Sequence, residues 1–299
     1  MMIKKPDTMP VCAVVLIGGK GKRLMPLSTE NRPKAFLSVT RDRKTMFRRT
    51  VDRVHKLIPY ENIIVVANES HAKLAKKDVP DIDKKNIFLE PVSRNTAPAI
   101  FLAASLIRKM HGDSVVVVLP TDQYIKNEKR YVDAVRRGIN FIKSADDAIV
   151  VIGIKPDRPE TGFGYIKRSE VIGDRSEVCK VERFIEKPDI ETAKRYFLDG
   201  KYLWNTGAFI FKASTILRAM DEFIPEISLK LDPEDAAGSY GELPDISIDY
   251  AVIEKAGNVY CLKGSFGWMD MGNFENLKKI LKIEGRKFIE RDGKVVKII

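Results

Sequence analysis

Histidine and cysteine are scarce in this chain, three of each among 299 residues. Cys12, Cys179 and Cys261 are far apart, odd in number, and each lies in an apolar, strand-like run. They read as buried free thiols, which excludes a disulfide framework or a cysteine metal site. His55, His71 and His111 fall in helix and turn contexts away from every motif described below. There is no metal-ligand histidine pair and no Ser–His–Asp or Cys–His arrangement. No apolar run approaches the ~18 residues of a membrane span, and residues 1–10 are polar, without the apolar core of a signal peptide. The expected setting is the cytoplasm, with no membrane partner. Low-complexity linkers and internal repeats are also missing.

Positive charge is what the chain has in excess. A formal charge of +11 favours anionic partners. The basic residues are spread along the chain and not gathered in one block, which argues against a nucleic-acid partner and for phosphorylated metabolites. Four cations do cluster locally, in the loop Ile17-Gly18-Gly19-Lys20-Gly21-Lys22-Arg23-Leu24-Met25-Pro26-Leu27-Ser28 and in Arg32-Pro33-Lys34 just after it. Gly18, Gly19 and Gly21 leave the backbone bare, so its N–H groups can approach an anion, and Lys20, Lys22, Arg23 and Lys34 surround the same region. The loop is neither a Rossmann fingerprint, because Leu24 stands where a glycine is needed, nor a P-loop, because Arg23 follows Lys22 where Ser or Thr is required.

Apolar runs at 11–17, 62–67, 86–89, 114–119 and 148–154 predict strands, alternating with predicted helices at 46–58, 69–77, 96–110 and 128–143. That rhythm predicts a three-layer α/β/α sandwich around a mainly parallel, mixed sheet. After Pro156 the rhythm changes. Strands at 163–167 and 178–185 should pair through a turn at Gly173-Asp174. A helix at 190–198, a strand at 202–211, helices at 213–220 and 246–255, and a strand at 259–262 follow, as a second lobe on the same sheet. One more helix runs to about Ile283. The tail 284–299 reads as a hairpin turning at Asp292-Gly293. It is too small to fold alone and should dock on the core or on another subunit, which leaves a homodimer open.

Ligands of an open α/β sheet gather at the carboxyl ends of strands. Three segments fall there: the glycine loop, Glu90 to Pro98, and Leu119-Pro120-Thr121-Asp122-Gln123. Asn95 or Thr96 can cap a helix whose free amides face the same cleft. Asp122 beside a phosphate site is placed to hold magnesium, or else shapes an Asx-turn. Asp270 could join it, or could cap the helix that follows. Glu186 could accept hydrogen bonds from sugar hydroxyls while Lys187 meets a phosphate. Gly164 and Asn205 offer backbone and an amide to a polar ligand, and Tyr250 reads as packing. With little acid–base machinery and many phosphate-binding groups, the chain suits a nucleophile that arrives already ionised.

Taken in order, these segments resemble the sugar nucleotidyltransferases, and within them the mannose-1-phosphate guanylyltransferase (GDP-mannose pyrophosphorylase) branch. The likeness spans about nine-tenths of the chain. Arg94-Asn95-Thr96-Ala97-Pro98-Ala99, Phe184-Ile185-Glu186-Lys187-Pro188, Trp204-Asn205-Thr206-Gly207, Ser247-Ile248-Asp249-Tyr250-Ala251-Val252 and Gly267-Trp268-Met269-Asp270 carry it, with the glycine loop. The family often has Trp at Met25 and His at Gln123, and Ser-Asp-(Val/Leu)-Gly where Met269-Asp270-Met271-Gly272 stands. The resemblance implies a Rossmann-like nucleotidyltransferase fold over 1–283, with a nucleotide half at about 1–155 and a sugar-phosphate half at 156–283. It implies an enzyme that uses Mg²⁺ to transfer GMP from GTP to mannose 1-phosphate, giving GDP-mannose and pyrophosphate. In it Gly18, Gly19, Gly21 and Lys22 would hold the nucleotide phosphates, with Arg23 and Lys34 catalytic. Glu90, Asn95 and Ala97 would face the base. Gly164, Glu186, Lys187 and Asn205 would contact the sugar phosphate, and Asp122 and Asp270 the metal. Two alternatives stay open: the same reaction on another hexose 1-phosphate or nucleotide, and a non-catalytic paralogue that binds GDP-mannose. A silent paralogue should have lost a metal carboxylate or phosphate cation, and none is missing.

Overall fold

The computed structural model describes residues 9–18, 22–169, 178–291 and 294–297. Its first half is built on parallel strands β1 (Val11–Ile17), β2 (Ile63–Asn68), β3 (Ile87–Glu90) and β4 (Val115–Pro120), ordered β3-β2-β1-β4. These strands are nearly all apolar because both faces are covered. In β1, Cys12 and Val14 enter one core while Ala13, Val15 and Ile17 enter the other. Helix α1 (Met46–His55) and helix α4 (Glu128–Ser144) close the second core with Phe47, Val51 and Val54, and with Tyr131, Val135 and Ile139. Helix α3 (Thr96–His111) closes the first with a run of alanines that lets it lie close to the sheet. Side-chain caps begin α1 and α4: Thr45 accepts from Arg48 N at 2.9 Å and Asn127 from Arg130 N at 3.1 Å. Helix α1 ends at His55, short of the predicted Ile58, which is still buried in the turn that follows.

The same sheet continues without a break. Strand β9 (Tyr202–Lys212) runs antiparallel between β4 and β6 (Ile149–Ile154), and β10 (Val259–Gly264) lies parallel to β6. Strands β8 (Val178–Ile185) and β7 (Tyr165–Arg168) complete a nine-stranded mixed sheet. They pair as predicted, and the expected turn at Gly173-Asp174 lies outside the described residues. Cys179 and Cys261, distant in sequence, are register partners across β8 and β10, both buried and neither in a disulfide. The helix expected at 246–255 is reduced to one π-helical turn, Asp249–Ile253. Ile246 O accepts from Ala97 N at 3.1 Å and Ile248 N donates to Thr96 Oγ1 at 2.8 Å, so groups a longer helix would use are committed to α3.

A third, smaller core gathers the chain that follows the glycine loop. It joins Leu24, Leu27, Leu37 and Val39 to Tyr124 and Met271, and these to Leu277, Ile280, Leu281 and Ile289. The sequence reading missed its ribbon, in which β5 (Gln123–Ile125) pairs antiparallel with β11 (Trp268–Asp270). Helix α9 (Phe274–Ile283) and the hairpin of β12 (Phe288–Arg291) and β13 (Lys294–Lys297) supply the rest. The hairpin's turn at Asp292-Gly293 is outside the described residues, but Arg291 and Lys294 flank it in register. Two residues, Glu284 and Arg286, then clamp this end down. Glu284 accepts from Tyr124 OH at 2.6 Å and from Arg41 N at 3.1 Å, and Arg286 donates to Thr40 O at 2.6 Å. Among the described residues no helix is long and apolar enough to cross a membrane.

Candidate active site

Strand β1 has β2 on one side and β4 on the other, so the strand order reverses beside it and a crevice opens at the carboxyl ends. Thr121 Oγ1 donates to Leu16 O at 3.0 Å and ties the ends of β4 and β1 together. A Cβ on Gly18 would meet nothing within 4 Å, so the loop starts against open space. Gly19, Lys20, Gly21 and the side chain of Lys22 lie outside the described residues.

Lys34 and Asp122 are ion-paired at this mouth. Asp270 reaches the same place from the far end of the chain: it sits opposite Gln123 in the ribbon, and Met271 N donates to Asp122 O at 2.9 Å. It does not cap α9, a task Asn273 performs; its Oδ1 accepts from Gly272 N at 2.7 Å. Burial, and then the charge of Asp122, push the Asp270 carboxyl up to about 6 against the pull of Lys34 and Arg23. Burial presses Lys34 down, but Asp122 and Asp270 outweigh it and hold the ammonium above its ordinary value. Two hard carboxylates with incompletely balanced charge fit a divalent cation such as magnesium. Among the described residues no third His, Cys, Asp or Glu joins them, so phosphate oxygens and water would complete the shell. Gln123 is a strut. Buried at the start of β5, its Nε2 donates to Thr206 O and ties the β5–β11 ribbon to β9.

A cavity of about 350 Å³ runs from this mouth inward, lined by Gly18, Lys34, Glu90, Asn95, Thr96 and Asp122 among others. Glu90, at the end of β3, is 7% exposed, and Tyr240 OH donates to it at 2.6 Å. Burial pushes its carboxyl up to about 7, against the lowering effect of that hydrogen bond. Asn95 caps α3 from a positive φ of 65°, accepting from Thr96 N at 3.0 Å. The expectation of free amides at this helix end needs correction. Thr96 N is taken by Asn95, Ala97 N by Ile246 O, and Ala97 is fully buried in the core instead of facing the cavity.

The sugar-phosphate candidates gather beside β4, where a Cβ on Gly207 would lie 3.8 Å from Pro120. Asn205 N donates to Gly164 O at 2.8 Å, and a Cβ on Gly164 would stand 2.6 Å from Glu186 Oε2 and 3.0 Å from the Phe184 ring, so a side chain here would displace the Glu186 carboxylate. Lys187 holds a strained φ of 46° and pairs with Glu186. Asp249, given no role on sequence grounds, accepts from Asn205 Nδ2 at 2.8 Å and faces Glu186. Burial, and then Glu186, push its carboxyl up to about 7. Its place in Ser-Ile-Asp-Tyr-Ala-Val was the available signal. Tyr250 is 40% exposed with its ring 5.9 Å from the Lys187 ammonium, so it is not packing. His71, expected to lie apart from the site, lines a second cavity together with Gly18 and Glu90.

A family profile described as nucleotidyl transferase matches residues 12–285. Among curated proteins, the mannose-1-phosphate guanylyltransferase RfbM of Salmonella typhimurium (strain LT2) is 39% identical over 88% of this chain and 57% of its own length. The chain thus spans a little under three-fifths of that relative. Among solved structures, one described as mannose-1-phosphate geranyltransferase from Thermus thermophilus aligns with a TM-score of 0.81 at 32% identity, covering 91% of this chain and 79% of that one. A Bacillus anthracis protein described as a putative glucose-1-phosphate thymidylyltransferase aligns with a TM-score of 0.61 at 18% identity, over 96% of this chain and 98% of that one, which speaks to fold alone.

Proposed function

The chain belongs to the nucleotidyl transferase family, and from that premise we propose that it transfers GMP from GTP to α-D-mannose 1-phosphate, releasing pyrophosphate and forming GDP-mannose. The similar relatives are named for mannose 1-phosphate. The observation that carries the reading is a junction: Gln123, between Asp122 and the ribbon, bonds Thr206 beside Asn205, so a phosphate-and-metal mouth and a hydroxyl-binding cluster share one wall. In this reading residues 1–155 hold the nucleotide and 156–283 the sugar phosphate.

The attacking group is a phosphate monoester with a second pKa of about 6, largely ionised at neutral pH, so no general base is required. Its oxygen attacks the α-phosphorus of GTP in line, and the bond to the pyrophosphate oxygen breaks. Arg23 and Lys34 offset the charge that builds on the phosphates, and Gly18, Gly19, Gly21 and Lys22 cradle the triphosphate. Mg²⁺, held by Asp122 and Asp270, would supply further charge neutralisation and orientation of phosphate oxygens. Glu90 accepts from the N1–H and 2-amino edge of guanine, with Asn95 lining the same cavity. Gly164, Glu186 and Asn205 fix the hexose for attack, with Lys187 near its phosphate. Pyrophosphate release should be measured across a panel of nucleotides and sugar 1-phosphates, with and without Mg²⁺. The reading requires GTP with mannose 1-phosphate to be the fastest pair and silent without a divalent cation. A faster pair, or no turnover with any, would reject it.

A further inference from the structure

The loop between β6 and β7 sets the ring of Phe163 between the chain's two tryptophans. It meets Trp204 edge-on, with centroids 5.1 Å apart at 75°, and Trp268 in the same way, at 5.2 Å and 77°. Each contact leads to a candidate site residue. Gly164 follows Phe163 in the chain, and Asn205 follows Trp204 in β9. Asp270 lies two residues beyond Trp268 in β11, on the same face of that strand. One ring therefore sits between the hydroxyl-binding cluster and the strand that carries a candidate metal carboxylate.

The loop around Phe163 is tied at several points. Arg158 lies over the Trp204 ring at 5.1 Å and donates to Glu160 Oε2 at 3.1 Å. Glu160 Oε1 accepts from Gly162 N at 3.1 Å, and Glu160 N donates to Tyr165 OH at 2.9 Å. Gly164 O accepts from Asn205 N, so backbone and ring are both fixed to β9. The β5–β11 ribbon is held at its two ends. Its Asp270 end reaches β9 through Gln123 and Thr206, and its Trp268 end meets Phe163. Rings in contact do not move independently, so a shift of the loop against one indole is also a shift against the other.

We propose that Phe163 is a positioning residue that couples the two halves of the site. A sugar phosphate seated on Gly164, Glu186 and Asn205 steadies the loop, the loop steadies Trp268, and Asp270 is thereby held for the metal. This deepens the functional reading above and rests on it. Sugar phosphate and metal then strengthen each other's binding, and by the same factor.

The α,β-methylene analogue of GTP has a carbon bridge that the reaction cannot cleave, so binding can be read without turnover. Mg²⁺ would be titrated calorimetrically into the full chain with this analogue, with and without mannose 1-phosphate. In the wild type the sugar phosphate should lower the Kd for Mg²⁺ about fivefold or more. Phe163→Leu keeps apolar bulk but cannot reach both indoles, and should bring the two Kd values together. Phe163→Tyr restores the ring and should recover the wild-type factor. A loosened fold weakens both values and leaves their ratio alone. Equal Kd values in the wild type, or the full factor in the leucine variant, would overturn the coupling. If that variant does not fold, Trp268→Leu opens the same contact from the ribbon and must lose the factor likewise. A wild type that does not bind mannose 1-phosphate would instead reject the proposed function.

Discussion

Replacing Glu90 by glutamine tests the electrostatics of its cavity without any substrate. The carboxyl is 7% exposed with a neutral tyrosine hydroxyl as its hydrogen-bond donor, and burial lifts it from 4.5 to about 7. Below the unfolded value both folded and unfolded chains hold the proton, and the contribution to stability is full. As pH rises, the unfolded chain releases the proton first, so the folded state binds more and its stability falls until the folded value is passed. A displacement of this size is worth about 3 kcal/mol in total, of which about 2 kcal/mol is lost between about pH 5.5 and about pH 8.5. Glutamine cannot titrate. Urea denaturation of both proteins at the two pH values should therefore show Glu90→Gln gaining about 2 kcal/mol relative to wild type at the higher one. An identical difference at both would refute the claim that this carboxyl is buried at the cost of its charge. GTP affinity should run the other way, tightening as pH rises through about 7, because guanine N–H groups need the ionised form.

Asp122→Ala and Asp270→Ala should each abolish turnover and titratable Mg²⁺ binding in the presence of GTP, while circular dichroism stays native; activity retained in both would remove the metal assignment. Chelation should stop the wild type, and added Mg²⁺ restore it. Gly164→Ala sets a methyl 2.6 Å from Glu186 Oε2 and 3.0 Å from the Phe184 ring, an overpacking of about 1–3 kcal/mol. KM for mannose 1-phosphate should rise about tenfold or more while that for GTP holds, and a shift confined to GTP would place the glycine in the wrong half. Glu284→Ala releases Tyr124 and Arg41, the supports of the Asp122 and Lys34 segments. It should lower kcat by about tenfold with the fold intact, and an unaltered kcat would make the clamp purely structural.

The strands were legible because burial on both faces leaves a continuous apolar signature, as in Val115 to Leu119. Asp122 and Lys34 were legible because they follow strand ends or a glycine loop. What escaped depends on distant partners. The ribbon of β5 and β11 has three residues per strand and exists because Gln123 meets Asp270 across the fold. The helix at 246–255 has the right periodicity, yet Thr96 and Ala97 claim its backbone groups. His71 looked like an ordinary helix residue, since the cavity beside Glu90 cannot be read from local spacing. Asp249 lay inside a quoted motif, but its role appears only with Asn205 in reach.

The third core has a bearing on synthesis. Leu24 and Leu27 follow the glycine loop directly, near the start of the chain, yet they are buried against Ile280, Leu281 and Ile289 near its end. A ribosome delivers these partners long after Leu24 and Leu27. The parallel strands β1 to β4 can pair while translation continues, but the third core cannot close until Ile289 has emerged. A nascent chain lacking this stretch would carry Lys34 and Asp122 without the Asp270 that faces them. Completion of the proposed nucleotide site thus becomes a late event in the synthesis of this stretch.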